Sequence, residues 1–164
     1  MRAPGRTLMI VVCVWSAACL SACSRYAAPQ ISVADARVAE RTSQGVVIDF
    51  TLDAVNTNEV ELPLKSIEYA LYLDGRRVFD GARQPEATLR RFGTQQIRVP
   101  AAFSLDRVED PTGSEIPYRL EGKVVYLTPG ELADVAFDAR VYRPSVSFSD
   151  RGRIDFGTPI AAWP

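Results

Sequence analysis

The stretch GVVIDFTLDAVN, residues 45–56, decides the fold class. Its apolar side chains fall on every second position, and Asp49, Thr51 and Asp53 fall between them. Successive side chains of a β-strand point to opposite faces of the sheet, so a period of two places one set in a core and the other in water. The stretch therefore predicts a half-buried β-strand.

The same alternation recurs on both sides of this stretch. Asp74-Gly75 is a two-residue hairpin signal, because both central residues of a type I′ turn need positive φ. Turn residues separate the other apolar runs in the same way. The predicted strands are residues 31–38, 46–54, 67–73, 76–84, 97–103, 120–126 and 135–141. Seven such strands predict an all-β, antiparallel sandwich.

The segments between and after these strands carry weaker signals. Helical turns are predicted only near residues 105–110, and residues 85–91 and 110–116 are predicted contact loops because of their Pro, Gly and charged content. Residues 152–157 are a candidate edge strand, with Trp163 as a late apolar plug.

The N-terminus has the layout of an export signal. Arg2 and Arg6 precede an apolar run from Leu8 to Leu20, which is too short to span a bilayer comfortably. The end of the run, Leu20-Ser21-Ala22-Cys23, resembles the lipobox of bacterial lipoproteins. That resemblance implies cleavage between Ala22 and Cys23 and acylation of the Cys23 thiol, which would anchor the chain in a membrane. The alternatives are a secreted protein with an incidental Cys23 and a retained N-terminal helix.

This interpretation divides the chain into a signal peptide, residues 1–22, a lipidated tether, residues 23–30, and a sandwich domain, residues 31–164. Ser24 follows the cysteine where an aspartate would retain a lipoprotein, so the resemblance implies the outer membrane of a bacterial envelope, facing the periplasm. The seven residues from Ser24 reach about 23 Å when fully extended. All three cysteines lie within the first 23 residues, so the mature chain has no thiol for a disulfide.

The charge of the mature chain argues against a nucleic-acid partner. Loss of Arg2 and Arg6 takes the formal net charge from −1 to −3, whereas nucleic-acid binders present a basic face. Two arginine pairs, Arg76-Arg77 and Arg90-Arg91, are the most basic spots. We interpret them as solvated loop edges, with contact to a phosphate or a lipid headgroup, or to a protein partner at Arg90 and Arg91, as the alternative.

Catalytic and metal-binding patterns are not found in the sequence. There is no histidine, and no phosphate-binding glycine motif or nucleophile elbow. Asp106, Glu109 and Asp110 lie together, but they lack the ligand spacing of a calcium loop, so a solvated acidic loop is the preferred interpretation. The sequence thus predicts a protein that is not an enzyme and needs no cofactor or metal. Tyr72 falls on the opposite strand face from Tyr69 and is a candidate partner contact.

One family shares the order of these features. NTNEVELPL, residues 56–64, leads into a tyrosine-bearing strand, the Asp74-Gly75 turn, and a strand that ends in Val99-Pro100; FSDRG, residues 148–152, closes the pattern. This order resembles the late embryogenesis abundant type 2 family over about residues 31–156, although Thr57 stands where that family has a proline. The resemblance implies an immunoglobulin-like or fibronectin-like sandwich, a role in water-stress tolerance and no catalytic residues. Asn56 and Asn58 are interpreted as turn residues whose side chains bond nearby backbone groups.

Three functions follow as hypotheses. The leading one is a non-enzymatic, lipid-anchored envelope protein that protects membranes or labile client proteins during water stress. The second is an envelope adaptor that docks a protein partner through a strand edge or through residues 85–91. The third, a hydrolase that uses carboxylates such as Asp106 and Glu109, is the least supported because histidine is missing.

Overall fold

The protein is described by a computed structural model over residues 26–108, 115–130 and 133–156. Eight strands, one 3-10 turn and one short helix make up these ranges. In chain order they are β1 (Gln30–Arg41), β2 (Gly45–Val55), β3 (Leu62–Leu73), β4 (Arg76–Arg83), β5 (Thr88–Leu89), β6 (Thr94–Ser104), a 3-10 turn (Leu105–Arg107), β7 (Ile116–Tyr126), α1 (Ala133–Asp138) and β8 (Ser145–Ile154). The predicted all-β class is confirmed, and the two-residue β5 lies inside the predicted loop 85–91.

The strands form two antiparallel sheets that face each other. One has the order β1-β2-β6, and the other has the order β4-β3-β7-β8 with β5 paired to the first residues of β3. Residues 45–55 of the GVVIDFTLDAVN stretch form β2, the central strand of the smaller sheet. Its burial alternates along its whole length, as the period of two requires.

The core lies between the two sheets. Ile48, Phe50 and Leu52 of β2 are fully buried against Leu71 of β3 and Leu120 of β7. Burial of such side chains contributes about 1.5–3 kcal/mol each and is the main force that holds the sheets together. Further buried residues of this core include Val46, Ile67, Val78, Leu89, Val99, Val124 and Phe148.

The predicted hairpin at Asp74-Gly75 is confirmed. Asp74 has a φ of 46° and Gly75 a φ of 77°, the pair of positive values that a type I′ turn needs. β3 and β4 flank the turn and pair antiparallel, with Leu73 opposite Arg76.

The prediction of a strand at residues 135–141 is wrong. Ala133–Asp138 forms the helix α1, which continues into a turn where the amides of Ala139 and Arg140 donate to the carbonyls of Val135 and Phe137. The place beside β7 is taken instead by β8, which pairs with it from Ser145 to Ile154. The predicted edge strand at 152–157 is therefore only the last part of a longer strand that begins seven residues earlier. Trp163 lies outside the described residues.

The antiparallel pairing gives the sandwich two distinct ends. At the end where β1 begins, which we call the anchor end, lie residues 26–29, 56–61, 84–93, 127–130 and 133–144. The opposite end, which we call the far end, holds residues 42–44, 74–75, 105–108 and 115. None of the helices in the described part of the chain has the length and apolar character that a membrane span requires.

Candidate functional site

Asn56 organises the loops of the anchor end. Its side chain is 1% exposed, and its amide nitrogen donates to the carbonyls of Val60 at 2.7 Å, Arg90 at 3.1 Å and Leu89 at 3.3 Å. Its amide oxygen accepts from the backbone and side-chain nitrogens of Asn58 at 3.0 and 2.8 Å. A buried amide that satisfies several backbone groups fixes two loops relative to each other. The predicted role of Asn56 as a structural turn residue is confirmed.

Asn58 fastens the N-terminal segment to the domain. Its Oδ1 accepts from the amide of Ala27 at 2.8 Å, and its Nδ2 donates to the carbonyl of Ala27 at 2.9 Å. This reciprocal pair holds the backbone immediately before β1. The point where the predicted tether leaves the sandwich is thereby fixed at the anchor end.

The loop from Arg90 to Gly93 lies beside this point. The amide of Phe92 donates to the carbonyl of Asn58 at 3.1 Å, and the amide of Gly93 donates to the carbonyl of Arg90 at 3.1 Å. Arg90 and Arg91 are exposed, and the side chain of Phe92 is 68% exposed. Phe92 has a φ of 48°, a left-handed conformation that a large L-residue rarely adopts. The loop therefore presents an exposed aromatic ring directly after two exposed arginines, on a backbone that hydrogen bonds hold in place.

The connection between β7 and β8 adds a second apolar patch at the same end. Val135 is 64% exposed, Val141 80% and Tyr142 49%. The connection is fixed to the sheet by two backbone bonds, from Tyr126 to Pro144 and from Leu127 to Pro63. Together with Phe92, these three residues are all the large hydrophobic side chains that the structure exposes in the ranges it describes.

Two cations lie against the helix α1. The guanidinium carbon of Arg143 is 4.7 Å from the centre of the Phe137 ring, and the ammonium of Lys65 is 5.8 Å from it. The Nε of Arg143 also donates to the Phe137 carbonyl at 3.1 Å. Phe137 is half-buried beside Lys65 and Lys123, on the outer surface of the larger sheet.

The structure separates Tyr72 from Arg90 and Arg91. Tyr72 is half-buried near the far end of β3, where the guanidinium carbon of Arg119 lies 3.9 Å from its ring centre. It stands ten residues beyond Leu62, the residue of β3 that pairs with Leu89, which corresponds to about 33 Å along a strand. The three predicted contact residues do not form one surface. The arginines lie at the anchor end, and the outer face of Tyr72 is covered by Arg119.

Two of the edge strands, β6 and β4, each accept a hydrogen bond from an arginine side chain. Arg83 of β4 donates to the carbonyl of Arg98 on the edge strand β6 at 2.9 Å, and Arg107 donates to the carbonyl of Val78 on the edge strand β4 at 3.1 Å. The edge strand β1 is irregular, because its register with β2 shifts between Val33 and Asp35 and again after Val38. Charged caps and bulges are the features by which proteins prevent strand addition. These edges are poor docking sites for an added strand.

The FSDRG segment, residues 148–152, has a structural role in β8. A Cβ on Gly122 would lie 2.6 Å from the Phe148 ring and 2.6 Å from a backbone oxygen of β3, and a Cβ on Gly152 would lie 2.7 Å from the Tyr118 ring. The Tyr118 hydroxyl donates to Asp150 at 2.6 Å. Burial, and then the bond to Asp150, raises the pKa of Tyr118 well above its usual range. Each aromatic ring thus packs on a glycine of the neighbouring strand.

Of the remaining predicted site residues, only Asp106 lies in the described ranges. Asp106 lies in the 3-10 turn at the far end, while Glu109 and Asp110 lie outside the described residues, as do Ala22 and Cys23. Within the ranges that the structure covers, no group of three potential metal ligands comes together. Phe92 was not among the predicted contact residues; its signal in the sequence is an aromatic residue inside a polar loop, directly after two arginines.

Known proteins share this architecture. A solution structure of a late embryogenesis abundant protein is 20% identical, covers 93% of this chain and 82% of its own, and has a TM-score of 0.63. A solution structure of an Arabidopsis thaliana protein is 15% identical, with coverages of 80% and 86% and a TM-score of 0.62. A crystal structure of an Archaeoglobus fulgidus protein is 11% identical, with coverages of 79% and 95% and a TM-score of 0.50. At these identities the likeness shows the fold alone.

The sequence itself decides the family. No curated protein matches the chain. The family model described as "Late embryogenesis abundant protein", the type 2 group, matches residues 51–160, which is most of the sandwich and includes both Asn56 and the FSDRG segment. The chain belongs to the late embryogenesis abundant type 2 family.

Proposed function

We propose that this protein is a non-enzymatic, lipid-anchored protein of the bacterial cell envelope that protects membranes or labile proteins during water stress. Membership of the late embryogenesis abundant type 2 family carries the proposal. The folded sandwich supports it, since the outer surface is built for contact with polar partners rather than for a reaction. The lipobox-like segment that ends at Cys23 supplies the anchor.

The outer face of the larger sheet supports a mechanism of broad, weak contact. Lys123 and Glu68 pair across β7 and β3 at 3.2 Å, and both are about half exposed. Arg77 pairs with Asp80, and Arg119 with Glu121, on the same sheet. Exposed pairs of this kind contribute little to folding. They do present alternating donors and acceptors that can replace the water lost by a drying headgroup or protein surface.

Drying a bacterial strain tests the role. A deletion strain is complemented with the wild-type gene or with the Cys23→Ser variant, and survival after drying and rehydration is counted. Wild-type complementation is expected to restore survival, and the unanchored variant is expected to restore less, provided that immunoblotting shows equal amounts. Mass spectrometry of the mature N-terminus checks the acyl chains directly. Full survival of the deletion strain, with no protection of a dried client enzyme by the purified protein, would exclude the role.

A further inference from the structure

We propose that the anchor end of the sandwich is a membrane-docking surface, with the Phe92 ring entering the headgroup interface of the bilayer that holds the lipid anchor. The proposal rests on the proposed acylation of Cys23. It goes further by stating which face of the domain meets the bilayer and which side chain enters it. The occupant of this surface is a phospholipid bilayer, not a protein.

Chain length limits how far this surface can be from the membrane. Ala27 is held by two hydrogen bonds to Asn58, and it follows Cys23 by only four residues. Four residues span at most about 14 Å. The same Asn58 binds the backbone of Phe92 through its carbonyl. An acylated Cys23 would therefore hold Phe92 close to the lipid surface.

The distribution of apolar side chains selects this end independently of the tether. In the described ranges every exposed large hydrophobic side chain lies here: Phe92, Val135, Val141 and Tyr142. They come from two connections that are far apart in the sequence. Exposed apolar side chains that are concentrated at one end of a domain indicate an interaction surface, whereas singly scattered ones do not. The far end has none of them.

The chemistry around Phe92 suits a phospholipid interface. Aromatic rings favour the headgroup region, and the guanidinium groups of Arg90 and Arg91 can reach lipid phosphates while the ring enters between the chains. Tyr142 brings a second amphipathic ring, and Arg143 lies one residue beyond it. Phe92, Val141 and Tyr142 thus each have an arginine as a direct neighbour in the sequence. Val135 does not.

Acidic residues at the same end limit the role of charge. Glu86 lies in the segment between β4 and β6 that holds Arg90 and Arg91, and Glu59 and Glu61 lie in the connection 56–61 at the same end. Anionic lipids attract the arginines and repel these carboxylates, so the net electrostatic attraction is small. Ring insertion must then provide most of the binding. Removal of the ring should weaken binding more than a rise in salt does.

The first experiment measures docking without the anchor. The mature chain carrying Cys23→Ser is floated with phosphatidylethanolamine–phosphatidylglycerol vesicles, alone and with Phe92→Ala or Phe92→Trp. We expect Phe92→Ala to lower vesicle partitioning about tenfold and Phe92→Trp to retain it. Because the ring is exposed, both variants should keep the wild-type circular dichroism and melting temperature. Equal partitioning of the alanine variant would overturn the proposal.

The second experiment measures orientation in the acylated protein. A single cysteine at position 92 or at Gln44, an exposed far-end residue, carries an environment-sensitive fluorophore, since acylation blocks Cys23. We expect a blue shift on vesicles at position 92 and none at position 44. Equal shifts at both positions, or no shift at 92, would refute docking. Crosslinking from position 92 to a single protein in cells, without a blue shift of the fluorophore on vesicles, would also refute it.

The two proposals fail in distinguishable ways. A mature N-terminus without acyl mass removes the proposed anchor, while the Cys23→Ser flotation still measures whether the ring binds lipid. A chain that is acylated and protective but keeps position 92 in water removes only the docking surface.

Discussion

The buried amide of Asn56 should be the most sensitive polar group of the anchor end. Asn56→Ala removes its bonds to the carbonyls of Val60, Leu89 and Arg90 and the acceptor for the amide of Asn58. A buried polar group that loses its partner costs about 1–3 kcal/mol. The bond to Leu89 is buried and the others are partly buried, so water can replace some of them. We expect a loss of about 3 kcal/mol in the free energy of unfolding.

Thermal and urea unfolding of the mature chain measure this loss. About 3 kcal/mol corresponds to a fall in Tm of roughly 10 °C for a domain of this size. Asn58→Ala is the matched control: it removes the exposed bonds to Ala27 and one part-buried bond to the Asn56 amide oxygen, but it leaves the three bonds of the Asn56 amide nitrogen in place. It should cost only about 1 kcal/mol. Asn56→Asp keeps the acceptor but turns a carboxylate toward three carbonyls, and it should be at least as damaging as alanine. A Tm for Asn56→Ala within about 2 °C of wild type would refute the argument.

Two further changes test the packing of β8. Gly122→Ala places a Cβ 2.6 Å from both the Phe148 ring and the Glu68 carbonyl oxygen. Because the backbone of β3 cannot move away easily, calorimetry should show a loss of about 1–3 kcal/mol in the free energy of unfolding. The raised pKa of Tyr118 means that the folded chain binds its phenol proton more tightly than the unfolded chain. Its stabilising contribution is complete below about pH 10 and is lost as the pH rises beyond that value. Above about pH 10 the free energy of unfolding should fall less steeply with pH in Tyr118→Phe, by up to about 1.4 kcal/mol per pH unit. Urea unfolding at a series of pH values measures this slope, and a slope equal to that of the wild type would contradict the raised pKa of Tyr118.

Most strands could be predicted from the sequence, because the alternation of apolar and polar residues in them agrees with the burial that the folded sandwich requires. In β2 every apolar position faces the core, so the period of two and the final burial are the same pattern. Asp74-Gly75 could be predicted for a similar reason, since the turn depends on the φ values of two adjacent residues. The role of Asn56 and Asn58 followed from their short side chains, which bond nearby backbone groups.

The error at residues 135–141 has a physical cause. Val135, Phe137, Ala139 and Val141 alternate as in a strand, but Ala133, Ala136 and Phe137 also recur at three and four residues, and a short apolar run cannot separate the two periods. Tertiary competition decided between them. The open edge of β7 pairs with the ten residues of β8, whose Phe148 packs on Gly122. The sequence of residues 135–141 alone does not reveal that residues 145–154 pair with the edge of β7 in their place.

The candidate site was less predictable than the fold. Tyr72, Arg90 and Arg91 were selected by residue type, but whether they meet depends on which ends of the strands come together. The register of β3 with β5 and β7 puts the arginines at one end and Tyr72 near the other, under Arg119. The exposure of Phe92 could not be predicted either, because it depends on a loop whose backbone has a positive φ at Phe92 and bonds to Asn58, which is distant in the sequence.

The two ends of the sandwich allow docking and protection to be separate properties. β1 and β3 contain 12 residues each, so the far end lies about 40 Å from the anchor end along a strand. A domain that rests on its anchor end would hold the Asp74-Gly75 hairpin and the part of the charged outer face that carries the Arg77–Asp80 and Arg119–Glu121 pairs away from the bilayer. That face would remain open to client proteins while Phe92 is in the lipid interface. Loss of Phe92 should then change how the domain is held at the membrane without changing its protection of a dissolved client enzyme, because that protection depends on a surface the ring does not reach.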